Sequence, residues 1–142
     1  MSVQSVFETK ASFNTTQTFT GTATDSDQVN VLTISLPAGK WYLSAQGSFL
    51  VQSGSLQGAA ISLSADGQPT FTAGVSDGLI LTPFDESIYT PLAQFTTQGI
   101  MFSEVAFDVT VTMTTFAAVG GAVTLLGDND LLVGSYLKAI CL

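Results

Sequence analysis

Histidine and arginine are both missing from this 142-residue chain, and its cations amount to three lysines. Without His there is no Ser–His–Asp triad, no Cys–His dyad and no imidazole ligand for zinc. Without Arg the planar fork that clamps phosphate or carboxylate is missing too. No glycine-rich phosphate loop of the Walker or dinucleotide type occurs. Three cations against 11 acids leave almost nothing to neutralise a nucleic-acid backbone or an anionic lipid surface. Nucleic acid and membrane are therefore not expected as partners, and no cofactor and no catalytic residue is expected. Cys141 is the only cysteine, so an intramolecular disulfide is excluded and the thiol is expected to be a small buried hydrophobe.

Long apolar runs are scarce as well. The longest, residues 116–126, is broken by Thr124 and holds Gly120-Gly121. It has about half of the roughly 20 residues a spanning helix needs, so a strand end, a glycine turn and a new strand are predicted there. Met1-Ser2-Val3-Gln4-Ser5 has neither the basic start nor the apolar block of a secretory leader.

What is present favours β-structure. Charged residues are 10% of the chain, well below the roughly 25% of ordinary soluble domains. Hydroxyls take their place, with 19 Thr and 15 Ser. Thr is β-branched and packs well on a pleated face, whereas exposed helices depend on Glu–Lys pairs for solubility. Apolar residues at 46% are enough for one packed core, and the length suits one domain spanning residues 1–142.

The hydrophobic period is 2 almost throughout. Over residues 41–52, Trp41, Leu43, Ala45, Gly47, Phe49 and Val51 share one parity. Tyr42, Ser44, Gln46, Ser48 and Gln52 share the other, with Leu50 the exception. Successive strand side chains point to opposite faces, so one face is core and the other is polar. Residues 104–114 repeat the pattern with Val105, Phe107, Val109, Val111 and Met113 against Glu104, Asp108 and three threonines. Shorter alternations run over 31–36 and 59–66, and Phe13 and Phe19 share a parity in a Thr-rich early strand. Turn signals stand at Pro37-Ala38-Gly39-Lys40, Ser53-Gly54, Asp66-Gly67, Asp77-Gly78 and 127–130, with Gly39 placed to supply a positive φ. Residues 82–99, with Pro83 and Pro91, are predicted to be a long connection between sheets. Short strands without intervening helices predict a single antiparallel β-sandwich.

The last strand, residues 134–142, is apolar on both faces. Leu137, Ala139 and Cys141 share one parity; Tyr136, Ile140 and Leu142 share the other, with Lys138 the only charge. Such a strand is buried on both sides, either centrally in its own fold or against another chain. Tyr136, Leu137, Ile140 and Leu142 are accordingly the candidates for an interface between subunits.

The remaining polar constellations have plain explanations. Asp85-Glu86 and the pair Glu104 and Asp108 offer two carboxylates each, but they suit solvation of a loop or an outer face better than glycoside hydrolysis. Asp128-Asn129-Asp130 and Asp25-Ser26-Asp27 have the i, i+2 oxygen spacing of calcium loops, without the distal Glu that completes one. No metal is expected, and a weak calcium site at Asp128 and Asp130 stays open.

Two stretches resemble a known architecture. Leu36-Pro37-Ala38-Gly39-Lys40-Trp41-Tyr42-Leu43-Ser44-Ala45 resembles the start of a central strand in jelly rolls of the tumour necrosis factor and complement globular-head type. Gly134-Ser135-Tyr136-Leu137-Lys138-Ala139-Ile140 resembles the terminal strand of that fold, and also the endings of bacteriophage fibre-head and capsid-decoration domains. The resemblance implies a ten-strand jelly roll forming a tight homotrimer, with the terminal strand near the three-fold axis. Low charge, abundant Thr and Ser, and the lack of a cysteine framework point within that group to a phage virion protein made in bacterial cytoplasm. The function it implies is a non-enzymatic, homotrimeric capsid decoration (cement) protein on the capsid surface, partnered by itself and by the major capsid protein or another virion protein. The alternative is a glycan-reading receptor-binding head of a tail fibre or spike, with Tyr42, Tyr89 and Trp41 as its aromatics. On parity, Trp41 belongs to the core.

Overall fold

The alternation over residues 41–52 becomes the longest strand of a computed structural model that describes residues 8–12, 15–19, 26–55, 57–75, 93–116, 119–125 and 135–142. Ten strands lie among the described residues: β1 (Glu8–Ser12), β2 (Thr15–Phe19), β3 (Ser26–Leu36), β4 (Gly39–Ser55) and β5 (Gly58–Ser64), then β6 (Phe71–Val75), β7 (Ala93–Ser103), β8 (Phe107–Phe116), β9 (Val119–Leu125) and β10 (Tyr136–Cys141). No helix occurs among these residues.

All strand pairs are antiparallel and form two sheets. Sheet B runs β3-β8-β5-β6. Sheet A is organised by β4, which has β7 along one side. On its other side β10 pairs with 41–46 and β9 with 49–55, and β1 and β2 continue outward from them. With β1-β10-β4-β7 facing β3-β8-β5-β6, the chain winds as a jelly roll, and β2 and β9 lengthen sheet A. Where β9 gives way to β10 along β4, the buried Ser135 hydroxyl accepts the Ser48 N–H at 3.0 Å, so the break leaves no orphaned donor.

The core lies between the sheets and follows the predicted parity. Trp41, Leu43, Ala45 and Phe49 of β4 meet Ile61 and Leu63 of β5, Val109, Val111 and Met113 of β8, and Leu137 and Ala139 of β10. Phe49 and Phe95 pack edge to face with ring centroids 6.0 Å apart. Buried Trp41 donates its Nε1–H to the Pro37 carbonyl at 2.9 Å, which ties the β3–β4 turn to the core. Gly39 in that turn has φ +143°, the positive value foreseen. In β3 the register shifts between Asn30 and Leu32, so Val31 is an extra residue. That bulge lets Val29 and Leu32, of opposite parity, both face the core.

Several sequence expectations are corrected. Gly120-Gly121 is not a turn but lies within β9, with Gly121 opposite Phe19. Ser53-Gly54 lies within β4, where the register against β9 shifts. The strand expected over 104–114 begins at Phe107, because the Ser103 hydroxyl bonds both the N–H and the carbonyl of Val105 and closes a turn. Of the connection expected over 82–99, residues 93–99 are strand. It does cross between sheets, from β6 in sheet B to β7 in sheet A.

Candidate interaction surface

Strand parity sets two outer faces. On sheet A, cross-strand register arranges side chains in rows. One row holds Phe102 and Lys40 opposite each other, with Leu142 beside Lys40 through the Leu142 N–H to Lys40 carbonyl bond of 2.8 Å. The next holds Ile100, Tyr42 and Ile140. Then come Gln98, Ser44 and Lys138, and after them Thr96, Gln46 and Tyr136. The later rows are satisfied within the sheet: Tyr42 Oη donates to Gln98 Oε1 at 2.6 Å, and Thr96 Oγ1 to Gln46 Oε1 at 3.2 Å. The first two rows carry the exposed apolar side chains, Phe102 57%, Ile100 48% and Leu142 45%, beside Lys40 and Tyr42.

Charge follows the same division. All three lysines lie in sheet A: Lys40 in β4, Lys138 in β10, and Lys10 opposite Lys138 in β1. Glu8 is the one acid within this sheet's strands. Two acids, Asp27 and Asp108, belong to the strands of sheet B, and Asp66 and Glu104 to the turns.

The outer face of sheet B is hydroxyl-rich and satisfied from strand to strand. Thr33 pairs with Thr110 at 3.0 Å, Ser62 with Thr72 at 2.9 Å, Thr112 Oγ1 donates to Asn30 at 3.1 Å, and Ser35 Oγ to Asp108 Oδ1 at 2.6 Å. At one end of this face the β5–β6 and β7–β8 turns wall an open groove of about 550 Å³. Its oxygens come from Ser35, Ser64, Asp66, Ser103, Asp108 and Thr110. No cation lines it, which disfavours an anionic ligand. Among the described residues no three His, Cys, Asp or Glu side chains gather as a metal would need.

The sequence-predicted residues separate on this frame. Tyr136, Ile140 and Leu142 stand on the outer face of sheet A, the first two half-buried. Leu137 is removed from the interface set, because its parity turns it inward and it is fully buried in the chain's own core. The strand is central, between β1 and β4. Cys141 is half-buried at the margin of the core, less enclosed than expected. Trp41 is core, and Glu104 and Asp108 fall on a turn and a strand rather than on one strand. Asp25, Asp85, Glu86, Tyr89, Asp128, Asn129 and Asp130 lie outside the described residues. Ile100 and Phe102 were missed, although Ile100-Met101-Phe102 is apolar on both parities, the same signal that marked the last strand.

No protein-family model and no curated protein matches this chain. Among solved structures it is similar to a chain of the infectious bursal disease virus Gx strain, at 13% identity and TM-score 0.49, covering 97% of this chain and 36% of that one. It is similar to the VP2 subviral particle of the same virus at 14% identity and TM-score 0.44, covering 96% and 37%. Eiger TNF from S. frugiperda matches at 10% identity and TM-score 0.43, covering 80% and 64%. The chain thus spans little more than a third of the length of the viral chains, and the jelly roll rests on its own strand order.

Proposed function

We propose that this chain is a non-enzymatic structural protein of a virus particle, a homotrimeric decoration protein on the capsid surface of a bacteriophage. The observation that carries this reading is the outer face of sheet A. Its first two rows place exposed Phe102, Ile100 and Leu142 around Lys40 and Tyr42, apolar side chains that a partner can cover. Copies of a chain with net charge −8 repel one another, and of the two sheets' described strands those of sheet A hold every lysine and one acid, whereas those of sheet B hold two acids and no lysine. Three copies meeting there bury Tyr136, Ile140 and Leu142, with Phe102 and Ile100 beside them. The hydroxyl-rich face of sheet B is left to the outside, and the turns meet the major capsid protein or another virion protein. The chain is made in the host bacterial cytoplasm and acts without cofactor, nucleic acid or membrane. Particles assembled without the chain test this: they are expected to lose a surface feature and resistance to heat. Unchanged composition and stability would contradict it.

The groove beside Asp66 and Asp108 favours a second reading, a head that reads host glycans, since hydroxyls and carboxylates suit a neutral polyhydroxylated ligand. Binding on a glycan panel that is lost in Asp108→Asn would support it; no binding on such a panel would remove it.

A further inference from the structure

Unpaired strand edges invite other strands, and proteins blunt them with charges, prolines, bulges or brevity. Four of the described edges carry such devices. β1 is five residues long with Glu8 and Lys10, β3 has Asp27 and the bulge at Val31, and β2 and β6 are five residues long. β7 is different. It is an 11-residue strand, Ala-Gln-Phe-Thr-Thr-Gln-Gly-Ile-Met-Phe-Ser, without a charge, a proline or a register shift. Among the described strands it pairs with β4 alone.

One side chain from the β5–β6 connection caps its C-terminal end. Gln68, which closes the β5–β6 turn through its N–H to the Ala65 carbonyl, accepts the Phe102 N–H at 3.2 Å and donates Nε2–H to the Phe102 carbonyl at 2.5 Å. Its primary amide thus takes the outward donor and acceptor of Phe102, one of the residues of β7 that an added strand would use. Nearby, Phe71 of β6 packs against Gly99 of β7 so closely that a Cβ there would stand 2.4 Å from the ring. Of these two contacts, the Gln68 amide is the one made to backbone groups of the edge.

We propose that Gln68 is the guard of β7, and that without it β7 pairs with β7 of a second copy. Antiparallel self-pairing of this strand sets no like charges opposite each other, because it contains none. This association is separate from the contact through the sheet A face. The test is Gln68→Ala, with Gln68→Ala/Thr96→Lys as the second variant, since a lysine on β7 supplies the edge charge it lacks. Thr96 shares the sheet A face with Tyr136, so Thr96→Lys alone is the control and is expected to keep the wild-type mass. In Gln68→Ala the Phe102 amide is expected to exchange about tenfold faster while amides of β8 hold their rates. Species larger than the wild type's are expected to grow with concentration, and the added Thr96→Lys to dissolve them. An unchanged Phe102 exchange rate, the absence of larger species, or larger species that persist in the double variant would each overturn the proposal.

Discussion

The two outer faces of this sandwich solve the same problem in different ways. Sheet B pairs its polar side chains across strands, Thr33 with Thr110 and Ser35 with Asp108, and leaves little for a partner to use. Sheet A does so at one end, through Tyr42 with Gln98 and Thr96 with Gln46, then exposes Ile100, Phe102 and Leu142 at the other. A satisfied polar face and an open apolar one, built on the same core, teach that fold stability and association draw on different residues of the same strands. In β10 the division runs residue by residue, with Leu137 and Ala139 inward and Tyr136 and Ile140 outward.

A charge placed on either face separates the two most strongly. Ile100→Asp/Phe102→Asp is expected to weaken association between copies by at least about 100-fold, as loss of central apolar anchors does. Thr33→Asp/Thr112→Asp on sheet B is expected to leave the native mass unchanged, by light scattering. Within β10, Leu137→Ala is expected to cost about 2–5 kcal/mol in denaturant unfolding, whereas Ile140→Ala, half-exposed in the separate chain, costs about 1 kcal/mol or less under dissociating conditions. Thr115 sharpens the contrast from the other side, because its buried Oγ1 finds no partner among the described residues. Thr115→Val is expected to raise stability by about 1 kcal/mol. The smallest effect belongs to the exposed sheet B network: Ser35→Ala is expected to cost no more than about 1 kcal/mol in urea titration.

Parity made the sandwich legible from sequence, because β4 alternates through the whole of 41–49 and its inward residues are the core. It failed where one feature has two structural uses. Gly120-Gly121 has the composition of a turn, yet it serves inside β9, where cross-strand neighbours decide the outcome. Val105 has the parity of the β8 core residues, but the Ser103 hydroxyl bends the chain there and leaves Val105 69% exposed. Apolar character on both faces of residues 136–142 was visible, while the placement of β10 between β1 and β4 depends on pairing over 90 residues of sequence or more, from Tyr136 with Gln46 upward. Gln68 is the clearest case of the illegible. Nothing local shows a turn glutamine reaching Phe102, 34 residues further on.

The most direct test is the native mass of the purified protein, by light scattering after gel filtration. A species of three chains is expected, which Ile100→Asp/Phe102→Asp converts to one chain. A wild-type protein that stays a single chain at every concentration would contradict this expectation.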